Sequence, residues 1–433
     1  MNHKAASPRA DRIGPFTDSV AQAFDNLLPV PLPDRIGLAV SGGSDSTALL
    51  HLAAAWAAKG KTALHVVTVD HGLRPEAAQE ASDVAAQSDA LGLPHTTLQW
   101  SGGDGTGNLM DRARRARYAL MANWALAHDI SHIALGHTAD DVAENLLMRL
   151  AREAGVDGLS AMAPSRRHEN TEFFRPLLSF KRNDLRDYLT ARNQTWADDP
   201  SNQDTRYDRV RARKILAALE PLGVSVDGLA RVASNLGDVR NALNWYAFLA
   251  ARDCARVEQG DVLFCLRQLR VPPDEITRRL LVQALCWVSG AEYAPRRRAV
   301  QQLQEGLFDA RGMALHGCRA VYLTGADRGL LRICRDPRAA AETTAAPGHD
   351  WAGRWRVDGP WPQGAEIRAT GSNGLKELEN WRASGLPEPA AQSAPAVWRG
   401  DQLIASPLLG KAAGWAATPL RQDEEFFNSC LIS

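Results

Sequence analysis

Residues 41–46, Ser-Gly-Gly-Ser-Asp-Ser, separate an apolar run typical of a buried strand from an Ala/Leu-rich run typical of a helix. A glycine-bearing turn at a helix N-terminus leaves backbone N–H groups free at the positive end of the helix dipole, which favours anion binding. The serines add hydroxyl donors, but Asp45 would repel an anion unless a cation such as Mg²⁺ lay between them. The P-loop lysine and the second glycine of a nucleophile elbow are both missing. The stretch therefore predicts another kind of phosphate site, the alternative being a capped tight turn.

A second candidate site lies in residues 135–150, where His137, Asp141 and Glu144 are spaced i, i+4 and i+7 and would share one helical face. The opposite face would be apolar, with Val142, Ala143, Leu146 and Leu150. We interpret the three polar side chains as a metal site or a pocket for a cation. The alternative is an exposed acidic face.

Two basic stretches are candidates for phosphate contacts. In a helix over residues 108–124 we expect Arg114, Arg115 and Tyr118 on the side away from the apolar stripe. Residues 206–214 hold five basic side chains against one Asp: Arg206, Arg209, Arg211, Arg213 and Lys214. Because arginine pairs well with phosphate, the first stretch could bind polyphosphate or RNA phosphate and the second the RNA backbone, the alternative for each being a solvated basic surface. The formal net charge of zero neither indicates nor excludes a nucleic-acid partner.

The elements that must position these groups alternate regularly. Strands are predicted at 35–40, 63–70, 95–100 and 132–136, and helices at 46–59, 75–91, 108–128 and 139–151. Strand alternating with helix predicts an α/β fold with a doubly wound, mainly parallel sheet. Ligands bind at the carboxyl edge of such sheets, so the turn should lie there, together with Asp70 and His71 at the end of the second strand.

The chain of 433 residues is long enough for several domains. We expect a polar lead-in with an amphipathic helix over 1–34, a catalytic domain over 35–215 that becomes loop-rich after Ala151, a mainly helical domain over 216–338, and a small strand-rich C-terminal domain over 349–433. Strand-like alternation also occurs between Met313 and Cys334.

Composition excludes several classes of protein. The first 253 residues contain no cysteine, and none of the six cysteines forms a CxxC pair, which argues against a disulfide framework, a zinc ribbon or a redox motif. The N-terminus lacks the apolar core of a secretory signal, and no apolar run approaches the ~20 residues of a membrane helix. We therefore expect a cytoplasmic protein with no membrane association.

Seven segments together resemble the tRNA(Ile)-lysidine synthase family of PP-loop ATP pyrophosphatases. They are SGGSDS, VDHGLRPEA, NLMDRARRARY, LGHTADDVAENLLMRL, GVDGLSAM, RPLL and DDPSNQDTRYDR, in the family's order and spacing. The resemblance is dense over about residues 35–215. One departure is Val210, where the family often has Asn, which leaves Arg209 and Arg213 as the conforming pair.

The resemblance implies a Rossmann-like PP-loop catalytic domain that ligates free L-lysine to the wobble cytidine of an isoleucine tRNA with a CAU anticodon, using ATP and Mg²⁺, and a possible homodimer. It also implies roles for individual residues. The pyrophosphate of ATP would be bound by Ser41, Gly42, Gly43, Ser44, Asp45 and Ser46, with Mg²⁺ on Asp45. Arg114 and His137 would stabilise charge during the reaction, Asp141 and Glu144 would bind lysine, and Arg206, Arg209 and Arg213 would contact tRNA.

Other readings of the same motifs remain open at this point. The missing cysteines disfavour PP-loop tRNA thiolases, and no Cys-based glutaminase motif supports an amidotransferase. A PP-loop ligase for another amine or nucleobase would carry the same loop. A nucleotide sensor or tRNA-binding module with an inactive loop should have lost Asp45, His137 or Asp141, and all three are present.

Overall fold

The structure, a computed structural model, describes residues 10–60, 62–72, 77–100, 102, 109–197, 208–307, 312–324 and 328–432. The chain divides into two compact units, Met1–Val239 and Arg240–Ser433. Among the described residues, no helix is both long enough and apolar enough to cross a membrane.

The first unit alternates strands and helices. Its strands are β1 Arg35–Ala39, β2 Ala63–Asp70, β3 His95–Gln99, β4 His132–Leu135, β5 Ser165–His168 and β6 Thr171–Phe174. Its helices are α1 Ala10–Leu27, α2 Ser44–Ala57, α3 Ala77–Ala90, α4 Leu109–Ala127, α5 Ala139–Leu150, α6 Val156–Leu159, α7 Arg182–Ala191 and α8 Asp208–Leu219, and α9 Val226–Cys254 continues into the second unit.

The six strands form one sheet in the order β3-β2-β1-β4-β6-β5, in which only β5 runs antiparallel to its neighbour. The predicted doubly wound, mainly parallel sheet is confirmed, and the four predicted strands lie where expected. The hairpin β5–β6 falls in the segment predicted as loop-rich, and that expectation was wrong. Its edge strand reads Ser-Arg-Arg-His, which carries no apolar alternation, while Phe173 and Phe174 of β6 are fully buried.

Helix α1 packs into the core of this unit, although it lies in the segment predicted as a lead-in. Its Phe24 is fully buried and stacks on Trp56 of α2 with ring centroids 5.0 Å apart. Val20 is buried in the same cluster, beside Ile36 and Leu38 of the central strand β1. The apolar face of α1 therefore covers one face of the sheet.

The second unit contains both helices and strands. Its helices are α10 Leu266–Leu269, α11 Asp274–Ser289, α12 Arg297–Gly306, α13 Pro337–Ala341, α14 Gly371–Lys376, α15 Glu388–Gln392 and α16 Asp423–Ile432. Its strands are β7 Ala255–Glu258, β8 Asp261–Cys265, β9 Met313–Leu315, β10 Cys318–Tyr322, β11 Leu330–Arg335, β12 Trp355–Asp358, β13 Ala365–Ala369, β14 Pro395–Arg399, β15 Gln402–Ala405 and β16 Ala416–Pro419. They form an antiparallel sheet β7-β8-β11-β10-β9, a pair β12-β16 and a sheet β13-β14-β15.

The predicted strand-rich C-terminal region and the strands between Met313 and Cys334 are present. The hairpin β7–β8 adds two strands to the stretch predicted as mainly helical. Its two-residue turn has Gln259 and Gly260 at φ 52° and 74°, a conformation that favours tight hairpins. The last helix, α16, returns to the helices of this unit, where Phe426 is fully buried with its ring 5.6 Å from that of Trp287.

Candidate active site

The turn between β1 and α2 has the geometry of an anion site. Gly42 has φ 88°, in the left-handed region that favours glycine, and Gly43 is extended at φ −71° and caps α2. A Cβ atom on Gly43 would have no heavy atom within 4 Å. The first backbone N–H groups of α2, which have no partner within the helix, therefore border open space.

The serine hydroxyls of the turn make hydrogen bonds within the turn itself. Ser46 Oγ accepts from the Ser41 N–H at 3.1 Å and donates to the Gly43 carbonyl at 3.0 Å. Ser44 Oγ donates to Asp45 Oδ1 at 3.0 Å. Ser46 thus holds the turn in shape, a structural task that the sequence did not separate from ligand binding.

Gly136, directly after β4, is a position of the candidate site that the sequence analysis missed. A Cβ atom there would lie 3.1 Å from Ser46 Cα and 3.2 Å from the Asp45 carbonyl oxygen. The end of β4 therefore lies directly against the phosphate-binding turn, and only glycine lets the two backbones approach so closely. The signal was the glycine before His137, but its partner is distant in sequence.

One cavity of about 1310 Å³ joins the two candidate sites. The turn residues line it together with His71, His137, Asp141 and Glu144. His137 precedes α5 and so does not share a helical face with the two carboxylates, but all three line the same space. The apolar side of α5 is buried as expected except at Leu150, which is 58% exposed.

Arg182, at the start of α7, links the carboxylates and was not predicted. Its guanidinium donates from Nε to Asp45 Oδ2 at 2.8 Å and from Nη1 to Glu144 Oε1 at 3.0 Å, and its Nη2 lies 3.6 Å from Asp141 Oδ1. Asp140 accepts from the Arg182 backbone N–H at 2.7 Å, which fixes the start of α7 beside α5. The sequence around Arg182 mixes charges of both signs, which gives no local signal of a buried arginine.

The remaining oxygens of Asp141 and Glu144 have different environments. Asp141 Oδ2 accepts from the backbone N–H of Thr138 at 2.9 Å and from its hydroxyl at 3.0 Å, so Asp141 also caps α5. Glu144 is 1% exposed, and its Oε2 has no hydrogen-bond partner among the described residues. A buried, unpaired carboxylate oxygen is costly and fits a site that awaits a donor.

The predicted tRNA-contacting arginines do not all lie in one place. Arg213 of α8 is half-buried and donates from Nε to Glu144 Oε1 at 2.7 Å, so it faces the cavity. Arg209 is exposed, and Arg206 lies outside the described residues.

Helix α4 presents a different arginine to the cavity from the one predicted. Arg117 lines the cavity, whereas Arg114 is exposed, with its guanidinium carbon 5.5 Å from the centroid of the Tyr118 ring. The expectation that Tyr118 lies away from the core was wrong, because it is 7% exposed and packs edge-on against Phe173 at 4.9 Å.

Burial sets the protonation of the site. Burial raises the pKa of Asp45; the charge of Arg182 acts to lower this pKa, and the charge of Asp141 acts to raise it. Burial and the nearby Arg175, Arg117 and Arg114 lower the pKa of His137 to about 3, although Asp141 acts in the opposite direction. His137 is therefore neutral near pH 7 and can donate or accept a hydrogen bond but carries no positive charge.

Asp45 is compatible with the predicted Mg²⁺. Within the described part of the chain, no three His, Cys, Asp or Glu side chains are arranged to hold a metal ion. Mg²⁺ in nucleotide sites commonly takes one or two carboxylates and completes its shell with phosphate oxygens and water. The half-buried carboxylate of Asp45, beside an anion-binding turn, fits that pattern.

The fold and the turn together are those of a PP-loop domain. Residues 16–219 match the PP-loop domain family. A tRNA(Ile)-lysidine synthase of Ruegeria pomeroyi is 49% identical over 399 residues, which is 92% of this chain and 94% of the relative. Enzymes of the same name from Wolbachia pipientis wMel and Bradyrhizobium sp. are 36% and 39% identical over 61% and 62% of this chain and 62% and 78% of their own length. The chain belongs to the tRNA(Ile)-lysidine synthase family.

Proposed function

We propose that the protein ligates L-lysine to C2 of the wobble cytidine in the CAU anticodon of an isoleucine tRNA, with conversion of ATP to AMP and pyrophosphate. The observation that carries this proposal is a single cavity in which an anion-binding turn meets the half-buried carboxylate of Asp45 and the buried carboxylates of Asp141 and Glu144. Phosphates suit the turn, and the ammonium groups of lysine suit the carboxylates. Membership of the family supports the tRNA substrate.

ATP and lysine must both bind beside the cytidine because of the chemistry of cytosine. The C2 oxygen is a poor leaving group until it attacks the α-phosphate of ATP, whereupon pyrophosphate departs and C2 carries an adenylate. The ε-amine of lysine then attacks C2 and expels AMP. Both steps need the phosphates and the amine close together, and effective concentration within one cavity supplies much of the rate.

The turn would bind the pyrophosphate part of ATP. The extended backbone at Gly43 and the N-terminus of α2 direct N–H donors and the positive end of the helix dipole at that space. Asp45 would hold Mg²⁺, which when bound neutralises charge on the phosphate oxygens. Ser44 would keep the Asp45 carboxylate oriented through their hydrogen bond.

Charge stabilisation around the α-phosphate would come from α4 and from His137. Arg117 reaches the cavity, so we give it the task that the sequence assigned to Arg114, with exposed Arg114 adding longer-range attraction. His137, held neutral by burial, would act as a hydrogen-bond donor.

Lysine would bind at Glu144 and Asp141. The unpaired Oε2 of Glu144 offers an acceptor for an ammonium group, and Asp141 Oδ1 is the oxygen of that carboxylate not used in capping α5. An ammonium that donates to both would lose little on burial, because each charge gains a partner.

The remaining parts of the protein would handle the tRNA. We propose that exposed Arg209 contacts the RNA backbone and that the second unit, which the sequence analysis treated as two domains, provides further tRNA contacts. We also propose a homodimer and a cytoplasmic location, where tRNA and ATP are available. Light scattering on a chromatographed sample would test the dimer.

The first experiment measures pyrophosphate release and lysine incorporation together. The protein is mixed with ATP, Mg²⁺ and a CAU-bearing isoleucine tRNA transcript, with and without lysine. Release that depends on the wobble cytidine, plus lysine attached to tRNA, is the expected result.

Three controls separate this function from the alternatives. A transcript with U at the wobble position should release no pyrophosphate above background, and neither should Asp45→Ala. Replacing lysine with arginine or ornithine tests for another amine. Pyrophosphate release that ignores the tRNA would contradict the proposal, and ATP binding without turnover would indicate a binding module instead.

A further inference from the structure

One side chain joins the nucleotide end of the cavity to its amine end. Arg182 touches Asp45, which belongs to the phosphate-binding turn, and also Glu144, at the proposed lysine site. Its side chain is only 14% exposed, so these contacts are made largely out of water. The attraction between such charges is less screened than at the surface, and removal of one partner leaves an uncompensated buried charge.

Arg182 therefore already fills the place that a substrate cation would take. In the protein without ligands, Glu144 Oε1 accepts from both Arg182 and Arg213, at 3.0 and 2.7 Å. A lysine ammonium arriving at Glu144 and Asp141 would share these carboxylates with a guanidinium, and the like charges would repel each other. Lysine should bind weakly while Arg182 stays on Glu144.

We propose that Arg182 couples the two substrate sites, so that nucleotide binding opens the lysine site. This inference rests on the proposed function. Arg182 would act by changing partner, from the Glu144 carboxylate to the nucleotide phosphates, and would touch neither C2 of the cytosine nor the lysine amine.

The charge of the nucleotide sets the direction of the coupling. ATP with one Mg²⁺ is a dianion, and the phosphates would lie at the turn, next to the Asp45 carboxylate that Arg182 Nε contacts at 2.8 Å. Guanidinium groups pair bidentately with phosphate, so Arg182 gains a stronger partner when the nucleotide binds. Glu144 and Asp141 then lose part of their neutralising charge and attract the lysine ammonium. By linkage, lysine must tighten nucleotide binding by the same factor.

The test measures lysine affinity by calorimetry on the full chain with Mg²⁺, in the absence and presence of AMPCPP, an ATP analogue that cannot be cleaved between the α- and β-phosphates. In the wild type we expect lysine to bind at least about fivefold more tightly with AMPCPP, the lower end of usual coupling strengths. In Arg182→Gln we expect the ratio to fall to about one, and lysine to bind the nucleotide-free variant more tightly than the nucleotide-free wild type.

Two further variants separate loss of coupling from misfolding and from a general loss of positive charge. Arg182→Lys keeps the charge but cannot reach two carboxylates at once, so it should fold and show a reduced ratio. Lys59→Gln removes an exposed positive charge of the same unit that does not line the cavity, where its ammonium pairs with Asp18, and should keep the wild-type ratio.

Each other outcome overturns the inference. A ratio in Arg182→Gln equal to that of the wild type means that Arg182 does not carry the coupling. Weaker lysine binding in the nucleotide-free variant means that Arg182 holds lysine or only the fold. Lysine binding by the wild type that ignores AMPCPP overturns this inference alone, whereas no lysine binding under either condition overturns the proposed function as well.

Discussion

Replacing Gly43 with alanine separates what the phosphate-binding turn needs for folding from what it needs for ATP. The residue is extended at φ −71° and ψ 162°, a conformation that alanine adopts freely, and a Cβ atom there meets nothing within 4 Å. The ligand-free fold therefore accepts the methyl group. The space that it would fill is the one in which we propose that the pyrophosphate lies, against the N–H groups of α2.

The methyl group should raise the stability of the folded protein and lower its affinity for ATP. Gly→Ala at a compatible position stabilises the folded state by about 0.4–1 kcal/mol through the unfolded chain, which for a unit of this size raises Tm by about 1–4 °C. Displacing a phosphate oxygen from one backbone donor costs about 1.5–3 kcal/mol. That corresponds to a loss of about 10- to 150-fold in ATP affinity.

Thermal unfolding of the ligand-free protein and the dependence of pyrophosphate release on ATP concentration measure both effects. Gly14→Ala in α1 is the matched control, since its Cβ also meets nothing within 4 Å and it is remote from the cavity in sequence. It should raise Tm and leave the KM for ATP unchanged. An unchanged KM in Gly43→Ala, with Tm raised as in the control, would refute the placement of the phosphates at this turn.

Three further predictions concern other contacts. Gly136→Ala places a methyl group 3.1–3.2 Å from the turn backbone, so a shift of tenths of an ångström should lower kcat/KM by roughly tenfold; steady-state kinetics showing wild-type values would contradict the close approach. His137 stays neutral in the folded protein down to about pH 3 but takes up a proton below about pH 6.5 in the unfolded chain. The free energy of unfolding therefore decreases as the pH is lowered below about 6.5, by at most about 1.4 kcal/mol per pH unit. Urea unfolding at about pH 7 and about pH 5.5 should show a smaller loss for His137→Asn, and equal losses would exclude this origin. In the second unit, Arg332→Ala removes one of the two buried arginines that pair with Asp261, while Arg354 remains 3.0 Å away, and should cost about 1.5–3 kcal/mol in urea unfolding, against about 1 kcal/mol or less for the exposed Arg356→Ala; similar costs would contradict the burial argument.

The central sheet and its turn could be predicted because their signals are local. Four runs bounded by turns specify the strands, although the edge strand β3 is only partly buried, and six consecutive residues specify the anion-binding turn. The hairpin β5–β6 escaped because its edge strand is polar and pairs on one side only, which removes the apolar pattern that identifies a buried strand.

The sequence by itself determined the types of groups at the active site: an anion-binding turn, a histidine and two carboxylates in one segment. Only the tertiary structure decided their partners, because residues far apart along the chain meet at the carboxyl edge of the sheet. Arg182 lies 137 residues from Asp45 along the chain, yet their side chains meet at 2.8 Å. Likewise Arg117 rather than Arg114 reaches the cavity, since the rotation of α4 is set by packing of Tyr118 on Phe173 and not by the charges on its surface.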